Sequence, residues 1–112
     1  MKKILISVLL VTTCMLSATF YSPITKINFV GVYNTTTSKG GDVIFRLENS
    51  HEDCYGYYIQ KDDVGFEATY SAILSAYHAK NDVRVYTSTT FDKWSGSTNM
   101  NGYCKVYTIQ YR

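Results

Sequence analysis

Only one segment of this chain, Gly65–Lys80, carries a helical hydrophobic period, and that constrains the fold more than any other feature. In GFEATYSAILSAYHAK, the residues Phe66, Tyr70, Ile73, Leu74 and Tyr77 recur at helical spacing and form one apolar stripe. Lys61-Asp62-Asp63 stands just ahead of it, with acids placed to cap and complement a helix start, and Asn81-Asp82 ends it. The rest reads as strands. Residues 26–35 alternate through Ile27, Phe29, Gly31 and Tyr33, with Gly31 marking a bulge or a sharp bend. Further strands are expected over 42–48, 54–60, 83–89 and 104–112. Turn chemistry (TTSKGG, from Thr36) and two polar loops, 49–53 and 90–103, separate them. The predicted fold is therefore mostly β with one helix, in the order β-β-β-α-β-β. That is the plan of a five-stranded, OB-fold-like Greek-key barrel. A helix-on-sheet α+β sandwich is the other arrangement these elements allow.

The N-terminal segment sets the compartment. Residues 1–18 combine Lys2 and Lys3, a short apolar run from Ile4 to Val11, and small or tolerated residues at Leu16-Ser17-Ala18. This is the layout of a secretory signal peptide, too short in its apolar part to span a bilayer. The mature chain is then a single domain over residues 19–112, secreted or periplasmic. Cys14 leaves with the leader; Thr13 before it does not fit a lipidation site. Cys54 and Cys104 remain, fifty positions apart. An even pair in a small exported domain reads as a disulfide, the alternative being two free buried thiols. The topology offers a separate check, because strands three and five of the barrel are parallel neighbours, and the two cysteines open those strands.

Charge narrows the partners. The full chain has 11 Lys and Arg against 9 Asp and Glu, and losing Lys2 and Lys3 with the leader evens the balance. Neither nucleic acid nor an anionic membrane has bulk electrostatic support. All eleven tyrosines fall in the mature part, where their apolar rings and polar tips suit both sheets and binding surfaces.

Motifs for chemistry are few. His51-Glu52-Asp53-Cys54 collects four metal-ligand types, but adjacent residues on one turn cannot all face one ion. His78 reads as a solvated residue late in the helix. No Ser-His-Asp set, fixed carboxylate pair or phosphate-cradling loop is visible, so the reading is non-enzymatic, with neither metal nor cofactor. Asn34-Thr35-Thr36 matches a glycosylation sequon but suits a turn. Trp94, alone among Lys, Ser, Gly and Asn, either stacks on a sugar or a neighbouring subunit, or folds back onto the barrel mouth.

The stretch GFEATYSAILSAYHAKNDVRVYTS resembles the helix-then-strand segment of the B subunits of AB5 toxins, the subtilase cytotoxin, typhoid and pertussis-like class. The likeness lies in the Gly-Phe start, an aromatic near the helix end and the Val-Arg-Val-Tyr strand; upstream, Val30-Gly31-Val32 matches too. It covers residues 27–88. The resemblance implies an exported OB-fold subunit that forms a homopentameric ring, binds host-cell glycans and carries a separate enzymatic A subunit. Two family contact positions differ here: Val30 stands where those proteins have a Ser, and Thr87 where they have a Tyr. The family's disulfides also lie elsewhere. The sialic-acid preference therefore does not transfer, but the same surface is the first place to look. It would comprise Lys26, Asn28, Val30, Tyr86 and Thr87, with Trp94 as an added candidate. A monomeric periplasmic OB-fold protein, acting as an inhibitor or an envelope-associated binding module, is the competing expectation.

Overall fold

The computed structural model describes residues 19–34, 39–98 and 100–112. The predicted leader, 1–18, lies outside them. The elements run β1 (Thr19–Tyr21), β2 (Ile27–Val32), β3 (Val43–Leu47), β4 (Gly56–Ile59), α1 (Phe66–Ala79), β5 (Val83–Ser88), β6 (Tyr103–Lys105) and β7 (Thr108–Tyr111). The fold is mostly β with one helix, as the periodicity indicated.

The expected five-stranded closed barrel is not what forms. The strands make two sheets, β1-β5-β7 and β2-β3-β4-β6, and the described residues hold seven strands. Two breaks in the ladder account for the difference. The expected strand 104–112 divides in two, because the chain changes sheets at Val106 and Tyr107. The Val106 N–H donates to the Tyr58 carbonyl, and the next N–H, that of Tyr107, donates to the Tyr86 carbonyl on the other sheet. At the other end, Thr19–Tyr21 lies against β5, Thr25 bridges to Val83, and Lys26 then leads into β2 on the second sheet. Pro23, which has no N–H to give, stands between the two pairings.

The expected parallel pair is present. β4 and β6 run side by side with Tyr57 opposite Cys104, and Cys54 and Cys104 form a disulfide with Cα atoms 5.6 Å apart. Closing so long a loop stabilises the fold by roughly 4 kcal/mol in the chain-entropy account.

The core lies between the two sheets and the helix. Alternation on β3 sends Val43, Phe45 and Leu47 inward, where they meet Tyr57 and Ile59 of β4, Val83 and Val85 of β5, and Ile73 and Ala76 of α1. Phe66, Tyr70 and Tyr77 from the predicted stripe pack against this cluster half-buried. The acids before the helix do not cap it. Gly65 occupies the N-cap without a side-chain bond, and the Asp63 carboxylate instead takes the Gln60 N–H and the Lys105 ammonium. The helix ends where expected, with Lys80 in the left-handed region and the Asn81 N–H returning to the Ala76 carbonyl.

Gly31 makes no bulge, being regularly paired with Ile44; the register shift falls between Ile27 and Phe29 instead. Gly31 serves a close approach. A Cβ there would sit 3.3 Å from both the Phe29 ring and Ile44. Its bare backbone lets the Phe29 ring lie along the outer face of the sheet.

Candidate functional site

β5 is the element that carries the core into a surface pocket. Its inward positions are Val83, Val85 and Thr87, all fully buried. The first two are aliphatic. The third ends the row with a hydroxyl, which donates to the Lys105 carbonyl at 2.5 Å. Beyond it the chain turns through Ser88 and Thr89, and the core gives way to a pocket of 270 Å³. Phe20, paired with Thr87 through β1, contributes an aromatic wall, and Phe91 contributes another. Asp53, Lys93, Cys104 and Lys105 complete the lining.

The two lysines at this pocket are tied down. The Lys93 ammonium donates to the Asp53 carbonyl at 2.9 Å and also to the Asn101 carbonyl. The Lys105 ammonium is held by Asp63 at 2.6 Å and Gln60 at 3.0 Å. What these side chains present to the pocket is largely stem. The Ser88 hydroxyl meets that of Thr90 at 3.0 Å. Neither Thr87 nor Ser88 is therefore set against a general base. The arrangement suits an uncharged, hydroxyl-rich ligand of about one ring, being near the small end (roughly 300 Å³) of ligand pockets.

The residues expected to form one surface are dispersed. Lys26 pairs with Asp82 at the start of β5, at 2.5 Å, and this hydrogen bond raises the Lys26 ammonium above its ordinary value. Asn28 is exposed at the irregular point of β2. Val30 packs half-buried against the inner core. Tyr86 lies half-buried beside Tyr21, with ring centroids 5.4 Å apart. Thr87 alone of the set reaches the pocket just described. β1 covers the edge of β5 at Tyr86 and Thr87, so the start of β2 is not brought beside them.

Trp94 folds back rather than standing out. It is 3 % exposed, on the outer face of the β2-β3-β4-β6 sheet, against Ile44 and Tyr58. Its indole N–H donates to the buried Asp42 carboxylate at 2.8 Å. Gly96 is required beneath it, since a Cβ there would fall 2.5 Å from the indole ring. As placed, the ring offers no stacking face to a ligand. The His51–Cys54 run forms a turn, in which His51 Nδ1 accepts the Asp53 N–H at 3.1 Å. Among the described residues, no three or more His, Cys, Asp or Glu side chains gather as a metal site would need. No described helix is long and apolar enough to cross a membrane.

Several pocket residues escaped the sequence reading. Phe20 stands close behind the predicted leader, in a strand of three residues, too short to show a period. Ser88 and Thr89 read as the end of the strand expected over 83–89, and Phe91 and Lys93 as part of the polar loop 90–103. Their one signal is the run of hydroxyls that continues the inward row of β5.

Comparison of the chain with models of known families, with curated proteins and with solved structures finds no match.

Proposed function

We propose that this chain is an exported, non-enzymatic binding protein that recognises a cell-surface saccharide, acting in the manner of an AB5-type B subunit. The observation that carries this reading is the pocket at the end of β5. Ser88 and Thr89, next to Thr87, line it together with the aromatic residues Phe20 and Phe91. Sugars offer this chemistry its complement, with apolar ring faces for aromatic walls and hydroxyls for hydrogen bonds.

A single such pocket binds weakly, and assembly into a ring multiplies the affinity. Exposed Tyr21 and Ile24 near β1, with Tyr107 and Tyr111 near β7, give the β1-β5-β7 sheet apolar surface suited to a homopentamer. An enzymatic A subunit would be the cargo of that ring.

The test is a glycan array probed with the oxidised protein alongside a Ser88→Ala/Thr89→Ala variant, with native mass measured on both. Selective retention of a saccharide class by the parent, lost in a variant of unchanged mass and melting temperature, supports the reading. Retention of the same sugars by the variant places recognition elsewhere, and no retention by the parent ends the proposal. A monomer that still binds sugar removes the ring while keeping the pocket.

A further inference from the structure

A second pocket opens at the end of the β2-β3-β4-β6 sheet, where the start of β2, the end of β3 and the residue before β4 meet. It measures 290 Å³ and is lined by Asn28, Phe29, Arg46, Leu47 and Tyr55. Alternation on β3 puts Arg46 here, on the face opposite Phe45 and Leu47. Its guanidinium carbon lies 4.4 Å from the centroid of the Phe29 ring and 5.2 Å from that of Tyr55. Gly31 makes the first of these contacts possible, since a side chain there would displace Phe29. Arg46 Nη1 donates to the Tyr55 hydroxyl at 2.6 Å, which fixes the plane of the group.

The cation is clamped but not neutralised. The ion pairs among the described residues join Lys26 to Asp82, His51 to Asp53 and Lys105 to Asp63, and none includes Arg46. Its Nε–H is buried without an acceptor. A guanidinium has five N–H donors in a rigid fork, and leaving a buried one unmade is costly. Aromatic clamping orients an arginine and removes water from its faces, which strengthens what its edge can bind.

Arg84 is an internal comparison. Its Nε is also buried without an acceptor, and its guanidinium lies 4.5 Å from the Tyr21 ring. It lines neither of the two pockets described here, so an orphan donor by itself does not mark a site. At Arg46 the orphan donor, the double aromatic clamp, the missing counter-charge and the cavity coincide.

We infer that the Arg46 pocket is a binding site for an oxyanion, the carboxylate or sulfate group of an acidic ligand, separate from the pocket at Thr87. The anion accepts from the free part of the guanidinium fork, and the exposed amide of Asn28 stands at the same pocket as a further donor.

The Nε–H resonances of Arg46 and Arg84 in the ¹⁵N-labelled oxidised protein provide the readout. The probes are glucuronate, inorganic sulfate and glucose, at matched ionic strength held with chloride. The expected result is a saturable shift of the Arg46 signal with glucuronate or sulfate and no shift with glucose, while Arg84 stays still. Glucuronate binding tighter than sulfate assigns a carboxylate ligand, and the reverse assigns a sulfate. Arg46→Lys keeps the charge and loses the fork, and should weaken binding about tenfold. A silent Arg46 signal with both anions, an equal shift with glucose, or undiminished binding by Arg46→Lys overturns the inference. Because the primary signal is read on the unmodified protein, a variant that fails to fold does not block the test.

Discussion

The two faces of the β2-β3-β4-β6 sheet are buried by different physics. The inner face is closed by area. Val43, Phe45, Leu47 and Ile59 meet Ile73 and Ala76 of the helix and the valines of β5, with Phe45 stacked on Tyr57 at 5.7 Å. Burial of this kind is non-directional and adds up side chain by side chain. The outer face is closed by a few directed bonds. Ile44, Tyr58 and Trp94 form a small cluster with Phe29 and Tyr103. Its polar edges are tied at named points: the Trp94 indole to Asp42, and the Tyr58 hydroxyl to the Asp92 carbonyl at 2.8 Å. The inner face supplies most of the folding energy. The outer face determines how the segment carrying Asp92 and Trp94 is laid down, and so what surface the sheet presents.

The comparison can be broken most forcefully from the inside. Phe45→Ala should cost about 4 kcal/mol in chemical denaturation, the range for a large buried aromatic truncated to a methyl. A loss no larger than that of an outer-face variant would erase the distinction. Next, Trp94→Phe keeps most of the ring but strips the indole N–H from a buried carboxylate. The expected loss is about 2 kcal/mol, because a hydrogen bond to a charged group is removed and Asp42 is left unpaired. Trp94→Phe/Asp42→Asn should recover part of the loss, since the unpaired charge is then gone.

The pH response sharpens the contrast. Burial, with Asp63, Asp92 and Asp42 nearby, pushes the Tyr58 hydroxyl up to about 12 from the ordinary 10.0. The folded state therefore holds this proton more tightly than the unfolded state. The resulting stability is complete below pH 10.0 and drains away as pH rises from 10.0 toward about 12. Alkaline melts of the parent should fall over that window, and Tyr58→Phe should flatten the fall. An identical slope in the variant would move the alkaline sensitivity to other tyrosines, Tyr57 on the inner face among them, whose hydroxyl burial also raises. The smallest effect belongs to neither face. Lys26→Ala breaks an exposed pair with Asp82, and its effect on the melting temperature should be the least of the set and decline further with salt.

The difference between the faces also explains what the sequence disclosed. The inner face was legible because it is periodic. Every second residue of β3 is apolar, β5 begins the same way with Val83 and Val85, and α1 repeats its stripe over three turns. The disulfide followed from an even cysteine count and one correct parallel pairing. The outer face was not legible, because its bonds join residues far apart with no shared pattern. Asp42 and Trp94 are 52 positions apart; Asp42 alone reads as a strand-end residue, and Trp94 alone leaves open whether it stacks on a ligand or folds back. The split of the C-terminal strand is hidden for a related reason. Val106 and Tyr107 are good strand formers, and nothing in their identities announces that successive N–H groups address different sheets. Arg46 falls inside the strand expected over 42–48, but nothing in that pattern announces the Phe29 and Tyr55 rings beside its guanidinium.

The Cys54–Cys104 bridge has a consequence in time as well as in energy. The parallel pairing of β4 with β6 is a late contact for a growing or refolding chain. Its two strands are separated by the whole of α1 and β5, so neither local zippering nor a tight turn can nucleate it. A reduced chain must find that pairing by diffusive search on every folding attempt, against the entropy of a long open loop. An oxidised chain makes the search once. When it later unfolds, the two strands remain neighbours, and the slowest step in the topology is already complete when refolding begins. The bridge thus stores the outcome of the first successful fold and returns it to each one that follows.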